Sequence, residues 1–272
     1  MRARNRMIDT VQKWLEGEGF PLEMHVAAEF RKAGFEVRQS SHYVDAETGK
    51  GREIDVVARD PDPMGIVEIY FAIECKSSKK PWVLLTSPDT LSGYNRIFAF
   101  GVLSEKAVDV FAQRILEFVE TLPWLRKEDA TGYAFRQAFG GQSDHAYSAA
   151  FSVAKACEYL VRPPERGYVA PFGLVFPVVV VDAPLIRCVL GRGSRLNLQE
   201  VDEGEFLFFA HLPRYFGSCI RVVTLQHLPV FAREAKRAAR QFRAALKPEE
   251  EKIVASWHRS KHGSSEHNRT IP

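Results

Sequence analysis

The sequence predicts a mixed α/β (α+β) fold, in which one mixed sheet is covered by helices. Three observations support this prediction. Apolar residues recur at helical spacing between residues 22 and 33, and three strand-like runs follow between residues 35 and 76. A continuous apolar run from Phe176 to Val181 is typical of a strand that is buried on both faces of its sheet.

The chain is predicted to begin with helices. A segment at residues 6–16 has a helical pattern, and a stronger amphipathic helix follows at about 22–33. Gly34 is a plausible stop for that helix, because glycine readily adopts the left-handed conformation that ends helices. The alternating run at 35–44 then predicts the first strand.

The next two strands are predicted to form an antiparallel hairpin. The turn Thr48-Gly49-Lys50-Gly51 leads into an Ile- and Val-rich strand at 52–59. The segment at 60–65, Asp-Pro-Asp-Pro-Met-Gly, has strong turn chemistry. The apolar run at 66–75 is therefore expected to pair with the strand before it.

The rest of the chain is predicted to alternate between helices and strands. Its elements, in order, are helices at 104–122 and 144–160, a buried strand at 176–181, a hairpin of strands at 186–190 and 195–201, strands at 205–211 and 220–225, and helices at 229–246 and 248–257. We therefore expect a core at 1–183 with a helical insertion at about 85–165, a strand and helix elaboration at 184–258, and a flexible polar tail at 259–272.

Composition argues against several classes of protein. No apolar run approaches the roughly 20 residues that span a bilayer, so no membrane partner is expected. The four cysteines are scattered without a C-x-x-C pair, which argues against a structural zinc site or a disulfide framework. These features favour a soluble cytoplasmic protein. The net charge of +3 does not by itself indicate nucleic-acid binding.

The most informative motif is an aspartate in the second strand and a Glu-x-Lys at the end of the third. Side chains alternate along a strand, so Glu74 and Lys76 share one face while Cys75 lies on the other. Asp55 stands between two apolar residues and could face the same cleft. Two carboxylates and an ammonium brought together can bind a hard divalent cation and stabilise a phosphodiester under attack. The simpler alternative is an ion pair between Asp55 and Lys76, with Glu74 merely exposed.

The order of elements and these acids resemble the PD-(D/E)xK nuclease superfamily. The phrases GREIDVVA and FAIECK are most similar to its Mrr-like and Holliday junction resolvase branches. The proline of the family name is absent, since Ile54 precedes Asp55. The resemblance covers mainly residues 20–80 and extends loosely to the strand that ends near Val181. It implies a restriction endonuclease-like α-β-β-β-α-β core.

The resemblance also implies a metal-dependent nuclease, with DNA as the expected substrate. Asp55, Glu74 and the backbone carbonyl of Cys75 would bind Mg²⁺ or Mn²⁺, which prefer oxygen ligands. Lys76 would orient the attacking water and stabilise charge in the transition state. Glu29 lies on the helix face of Val26 and Ala33, so we expect it to point inward, and it matches a first-helix glutamate that assists the metal in several branches. The alternative is a partly exposed acid at the edge of the helix. Many members dimerise to cut two strands, so a homodimer is one expectation.

Two groups of basic residues are candidates for contact with nucleic acid. Arg192 and Arg195 lie at the turn of the predicted hairpin. The second group recurs at helical spacing in the helix at 229–246 and consists of Arg233, Lys236, Arg237, Arg240 and Arg243. Such a stripe could follow a phosphate backbone. The solvated face of a helix is the simpler interpretation, because charge runs usually face water.

Two other functions remain open from the sequence. One is a catalytically silent nuclease-like domain that binds nucleic acid or a protein partner. The other is an unrelated α+β domain with a chance match to the motif. The presence of Asp55, Glu74 and Lys76 together favours the active enzyme over the silent domain.

Overall fold

A computed structural model describes residues 2–45, 47–93, 99–125, 131–140, 144–162, 172–212 and 215–266. Its helices are α1 (Arg2–Gly17), α2 (Phe20–Lys32), α3 (Glu105–Gln113), α4 (Ile115–Thr121), α5 (His145–Val161) and α6 (Leu228–Glu266). Its strands are β1 (Glu36–Val44), β2 (Gly51–Asp60), β3 (Val67–Ser77), β4 (Trp82–Thr86), β5 (Val102–Leu103), β6 (Gly132–Gln137), β7 (Phe172–Asp182), β8 (Leu185–Leu190), β9 (Leu196–Val201), β10 (Glu203–His211) and β11 (Tyr215–Thr224).

All of these strands belong to one mixed sheet. The order across it is β1-β2-β3-β7-β11-β10-β6-β4-β8-β9, and β5 pairs with β7 outside this path. Strands β1, β2 and β3 are successively antiparallel, whereas β7 runs parallel to both β3 and β11. The predicted mixed sheet is therefore present, and β3 lies between the antiparallel hairpin and the parallel centre.

Helices cover both faces of the sheet. On one face α2 and α6 bury a cluster of aromatic rings, in which the centroid of Phe30 lies 6.0 Å from Phe71 and 6.4 Å from Phe231. On the other face α5 packs through small residues such as Ala149 and Val153, which are fully or almost fully buried. Small side chains allow a helix to approach a sheet closely, so α5 lies directly over the centre.

The predicted helix–strand–strand–strand order in the first 77 residues is confirmed. Gly34 ends α2 with φ at +92°, and the Phe35 N–H donates to the carbonyl of Phe30 at 3.1 Å. This is the left-handed helix stop that favours glycine. The predicted helix at 144–160, the buried strand at 176–181 and the hairpin after it are also confirmed.

The helix predicted at 104–122 is divided into α3 and α4 at Arg114, whose φ of −121° leaves the helical region. Ser104 caps α3 by accepting a hydrogen bond from the Ala107 N–H at 3.4 Å. The Arg114 guanidinium donates to the carbonyl of Ala245 at 3.2 Å. Arg114 therefore connects the break to α6.

The two C-terminal helices predicted on either side of Lys247 are one helix, α6, that contains Pro248. Proline removes one backbone donor, and in a helix interior it kinks or breaks the helix. Here apolar residues on both sides of Pro248, including Leu246 and Ile253, pack on the same core, which keeps the helix continuous. The helix extends to Glu266 and so includes the first part of the predicted tail; residues 267–272 lie outside the described residues.

The region predicted as a helical insertion also contributes strands. Strands β5 and β6 lie within it, and β4 overlaps its start. Strands β8 to β11, from the predicted elaboration, join the same sheet as the core. Within the described residues no helix is long and apolar enough to cross a membrane.

Candidate functional site

Asp55 and Glu74 lie at the point where the β2–β3 ladder ends. The paired residues run from Asp60 opposite Ile69 to Val56 opposite Ile73. At the next position the Cys75 N–H donates to the Asp55 carboxylate, with 2.7 Å between nitrogen and Oδ2. The aspartate therefore accepts a backbone donor of the neighbouring strand, which fixes the carboxylate beside β3.

Glu74 and Lys76 lie on one face of β3, as alternation along the strand requires. Their side chains form an ion pair, with Lys76 Nζ 2.6 Å from Glu74 Oε1. Glu74 is only 7% exposed. The alternative of an Asp55–Lys76 pair with Glu74 in solvent does not describe this arrangement, because the partner of Lys76 is the buried Glu74.

The acids of this site are held in an unfavourable electrostatic environment. Burial, followed by the charge of Asp55, raises the pKa of Glu74 to about 7, although Lys76 opposes the shift. Burial likewise raises the pKa of Asp55 against the effects of the Cys75 N–H and Lys76. Acids with raised pKa values around a shared charge partner are typical of functional sites.

The same surroundings favour the charged form of Lys76, whereas they favour the neutral form of the two acids. Burial alone would lower its pKa, but the charge of Glu74, the hydrogen bond to it and the charge of Asp55 outweigh burial, so the pKa is raised. The ammonium is therefore charged at neutral pH. It can donate hydrogen bonds and stabilise negative charge, and it is not suited to accept a proton.

A further acid near this site comes from α2, and it is Glu23. Burial raises its pKa, and so do the charges of Asp55 and Glu53, while Lys76 lowers it. Glu29, the α2 acid expected from the sequence, forms an ion pair with Lys32 on the same helix. The structure therefore brings Glu23, rather than Glu29, under the influence of Asp55.

Helical spacing does not distinguish the two acids. Glu23 lies four residues before Ala27 and seven before Phe30. Glu29 lies seven residues after Leu22 and three after Val26. All four of these apolar residues are buried, and both acids are half-buried. The structure separates the acids by their partners, because Glu29 pairs with Lys32 whereas Glu23 is affected by the charge of Asp55.

The predicted basic contacts fall in two different places. Arg192 and Arg195 are exposed at the β8–β9 turn, and β9 is the far edge of the sheet, seven strands from β3. At about 4.8 Å per strand this separation is on the order of 30 Å. The structure does not bring these two arginines to the candidate site.

The α6 stripe divides into bound and exposed residues. Lys236 donates to the Gly34 carbonyl at 2.6 Å and forms an ion pair with Asp60. Arg243 contacts the same carboxylate at 2.7 Å. These two cations attach α6 to the hairpin. The Lys236 ammonium therefore already has partners within the protein, and these compete with its predicted role in nucleic-acid binding. The remaining members of the stripe are exposed, and they are Arg233, Arg237 and Arg240.

A small, partly open cleft lies between the end of β1 and α5, and its lining includes Tyr43, Asp45, Lys155 and Tyr159. The rings of Tyr43 and Tyr159 lie 5.3 Å apart. Burial and the charge of Asp45 raise the pKa of Tyr43 to about 12, and Glu74 adds a smaller effect. The cleft therefore lies within electrostatic reach of the candidate site.

The donor atoms of the site suit a hard divalent cation. Carboxylate and carbonyl oxygens are the ligands that Mg²⁺ and Mn²⁺ prefer. A cation would also offset the mutual repulsion that raises the pKa of Glu74. In the part of the chain that the structure describes, no three His, Cys, Asp or Glu side chains are grouped closely enough to hold a metal by themselves.

Comparison with known proteins gives no relative for this chain. No protein-family model, curated protein or solved structure matches it.

Proposed function

We propose that this protein is a metal-dependent nuclease that hydrolyses phosphodiester bonds, with DNA as its substrate. The observation that supports the proposal best is the pair of acids at the end of the β2–β3 ladder, the buried Glu74 and the half-buried Asp55. Asp55 is fixed against β3 by the Cys75 N–H, and Glu74 is ion-paired with Lys76. This combination provides oxygen ligands and a charged donor within one small site.

The residues would hold Mg²⁺ or Mn²⁺ through Asp55, Glu74 and the Cys75 carbonyl. When bound, such a cation polarises a phosphate and makes a bound water more acidic. Lys76 would stabilise the negative charge that develops on the phosphate, since its raised pKa keeps it protonated at neutral pH. Glu74 must lose its proton to bind a cation, so affinity should rise as pH increases through about 7.

The topology around the site supports the same proposal. Helix α2 and strands β1, β2 and β3 follow one another along the chain. Strand β7 pairs parallel with β3 after an intervening segment that contains β4, β5, α3, α4, β6 and α5. The α-β-β-β start and the parallel pairing of β3 with β7 support the proposal.

A catalytically silent domain that binds nucleic acid is the second candidate. It is favoured by the internal pairing of the site, because Asp55 already accepts a backbone donor and Lys76 is already paired with Glu74. Such an arrangement could serve the stability of the hairpin alone. The two candidates differ in whether a divalent cation supports cleavage.

Cleavage of plasmid and oligonucleotide DNA with Mg²⁺, with Mn²⁺ and with EDTA distinguishes them. Asp55→Ala and Lys76→Ala should each reduce metal-dependent cleavage at least about 100-fold, because each removes a metal ligand or a stabilising charge. Circular dichroism should show an intact fold. Asp109→Ala and Lys106→Ala change the same residue types at exposed positions of α3, and they should cut like wild type.

Either outcome is decisive. If Asp55→Ala or Lys76→Ala cuts at the wild-type rate, the assignment of the site is wrong. If wild type binds DNA but cuts none of these substrates with either metal, the silent domain replaces the nuclease. Calorimetric titration with Mn²⁺ then gives a second measurement, since Asp55→Ala should weaken binding whether or not DNA is cut.

A further inference from the structure

Helix α1 presents its apolar side to solvent. Its five large apolar residues are between 37% and 71% exposed, and they are Met7, Ile8, Val11, Trp14 and Leu15. At roughly 100° per residue they fall within one face about 120° wide. The charged residues Arg6, Asp9, Lys13 and Glu16 occupy the opposite face. An amphipathic helix normally turns its apolar face toward a core.

The exposed surface continues from α1 onto the start of α2. The rings of Trp14 and Phe20 lie 6.1 Å apart, and Phe20 and Met24 are 44% and 62% exposed. Summed over the seven side chains, the exposed apolar area is on the order of 700 Å². That exceeds the largest apolar patch on a typical monomer and approaches the ~800 Å² per partner of a standard protein interface.

The connection of α1 to the rest of the molecule gives it little support. Gly17 and Gly19 flank the joint between α1 and α2, and a Cβ atom at Gly17 would contact nothing within 4 Å. A helix of this length is marginal in water by itself. Packing on its apolar face would therefore contribute much of its stability.

The balance of charge indicates what kind of surface covers this face. Helix α1 contains four basic and two acidic residues, and its polar face between residues 6 and 16 contains two of each. A helix that lies on an anionic membrane carries a polar face rich in Lys and Arg, and a helix that binds nucleic acid needs a similar excess. The polar face of α1 between residues 6 and 16 has no such excess of basic residues, which favours a protein surface, rather than a membrane or nucleic acid, as its partner.

Between residues 6 and 16 the charges of α1 are antisymmetric about Val11, and Arg2 and Arg4 lie outside this range. Arg6 and Glu16 stand five residues on either side of it, and Asp9 and Lys13 stand two residues on either side. When two copies of the helix lie antiparallel, each of these charges is level with an opposite charge. When two copies lie parallel, each is level with a like charge. These charges lie on the outer face of each helix, where solvent and salt screen them, so they contribute little to affinity and bias the orientation weakly toward antiparallel.

The same reversal matches the apolar residues. It aligns Met7 with Leu15, Ile8 with Trp14, and Val11 with its own copy. We propose that α1 and the start of α2 form a homodimer interface, in which two α1 helices pack antiparallel across a twofold axis near Val11. This inference does not depend on the proposed nuclease activity.

Analytical ultracentrifugation of the full-length protein tests the surface. Wild type should sediment as a dimer at micromolar concentration. Val11→Glu and Ile8→Glu should weaken association at least about 30-fold, because each buries a charge in the apolar centre of the interface. Lys13→Ala, on the outer face, should change the dissociation constant less than about threefold. A monomeric wild type at 100 µM (roughly the upper range of such measurements), or a Val11→Glu protein that dimerises like wild type, would overturn the proposal.

Disulfide trapping tests the orientation. Met7→Cys and Leu15→Cys should each give few cross-linked dimers alone, but a mixture of the two should give a heterodisulfide under mild oxidation. Efficient homodisulfides from Met7→Cys alone would show a parallel pair and contradict the proposal. Flotation with phosphatidylserine vesicles gives the last control, because a monomeric protein that floats would have a membrane, rather than a second copy, on this face.

Discussion

Two buried acids of the same sheet stand in opposite electrostatic environments. Asp45, at the end of β1, is 2% exposed, and its carboxylate lies 2.7 Å from Lys155 Nζ and 3.0 Å from the Glu47 N–H. These donors, led by the hydrogen bond from Lys155, hold its pKa well below the usual range. Glu74 is 7% exposed and has one ammonium partner, yet its pKa is raised to about 7.

The difference comes from the balance between burial and the donors that oppose it. Asp45 accepts hydrogen bonds from Lys155, Arg52 and the Glu47 N–H, and these outweigh burial. Glu74 has Lys76 as its donor, and burial together with the charge of Asp55 outweighs that interaction. The lowered pKa of Asp45 contributes stability above its ordinary pKa of 3.8, and this contribution is lost as pH falls. The raised pKa of Glu74 works in the reverse direction, so stability is lost as pH rises from 4.5 to about 7.

The largest loss of stability is expected when the ion pair between Asp45 and Lys155 is broken. Lys155→Met keeps the aliphatic length of the side chain but leaves the Asp45 charge buried. It should lower the free energy of unfolding at pH 7 by about 3 kcal/mol, measured by urea denaturation. The loss should shrink toward pH 3, because protonation of Asp45 removes the charge that the more distant Arg52, at 3.4 Å, compensates only in part.

The matched control for this change is Lys252→Met. Lys252 forms an ion pair with Glu249 at 2.9 Å, but its side chain is 71% exposed. Its removal should change the free energy of unfolding by less than about 0.5 kcal/mol. Equal losses for the two variants would show that burial of Asp45 does not determine the strength of its pair.

Local sequence pattern was enough to predict the strands next to Asp45 and Glu74. Other elements depend on contacts between residues that are far apart in the chain. Alternation and turn residues were enough for β1 to β3. The strands β4, β5 and β6, which are two to six residues long, were not predicted from local pattern. They exist through partners far along the chain, such as Leu185 opposite Trp82. The continuity of α6 through Pro248 likewise depends on the core beneath it.

For the site, the sequence predicted which residues share a face but not which groups bond. Alternation put Glu74 and Lys76 side by side. The bond from the Cys75 N–H to Asp55 depends on where the β2–β3 ladder ends, which no local pattern specifies. Whether Glu23 or Glu29 lies near Asp55 depends on the rotation of α2 about its axis. The helix buries Leu22, Val26, Ala27 and Phe30, and their packing on the sheet defines that rotation.

The raised pKa of Glu74 should make the free energy of unfolding depend on pH. Between pH 5 and 8 without divalent cations, wild type should lose on the order of 1–3 kcal/mol, because folded Glu74 holds its proton to about pH 7 and the unfolded chain does not. Glu74→Gln should flatten this slope and be at least as stable as wild type at pH 8. Urea denaturation across this range measures both curves.

The Glu74→Gln variant also distinguishes two effects, which are removal of the repulsion between Glu74 and Asp55 and weakening of the hydrogen bond from Lys76. Near pH 5, where folded Glu74 is protonated, Glu74→Gln should be about as stable as wild type, because the amide oxygen can still accept the hydrogen bond from Lys76. Addition of Mg²⁺ at pH 8 should stabilise wild type more than the variant, because ligand binding to the folded state adds to its stability. A wild-type slope that persists unchanged in Glu74→Gln would assign the pH dependence to another group.

The smallest expected effect compares the two acids of α2. Glu23→Gln removes a charge that raises the pKa of Glu74, so the pH midpoint of the wild-type stability curve should fall by a few tenths of a unit, equivalent to roughly 0.5 kcal/mol. Glu29→Gln changes an acid that is paired with Lys32 on the same helix, and it should leave the midpoint in place. Carboxyl ¹³C NMR titration of Glu74 measures the shift directly in both variants. If Glu29→Gln moves the midpoint and Glu23→Gln does not, the acid that α2 supplies to the site is Glu29, and the rotation of α2 described above is wrong.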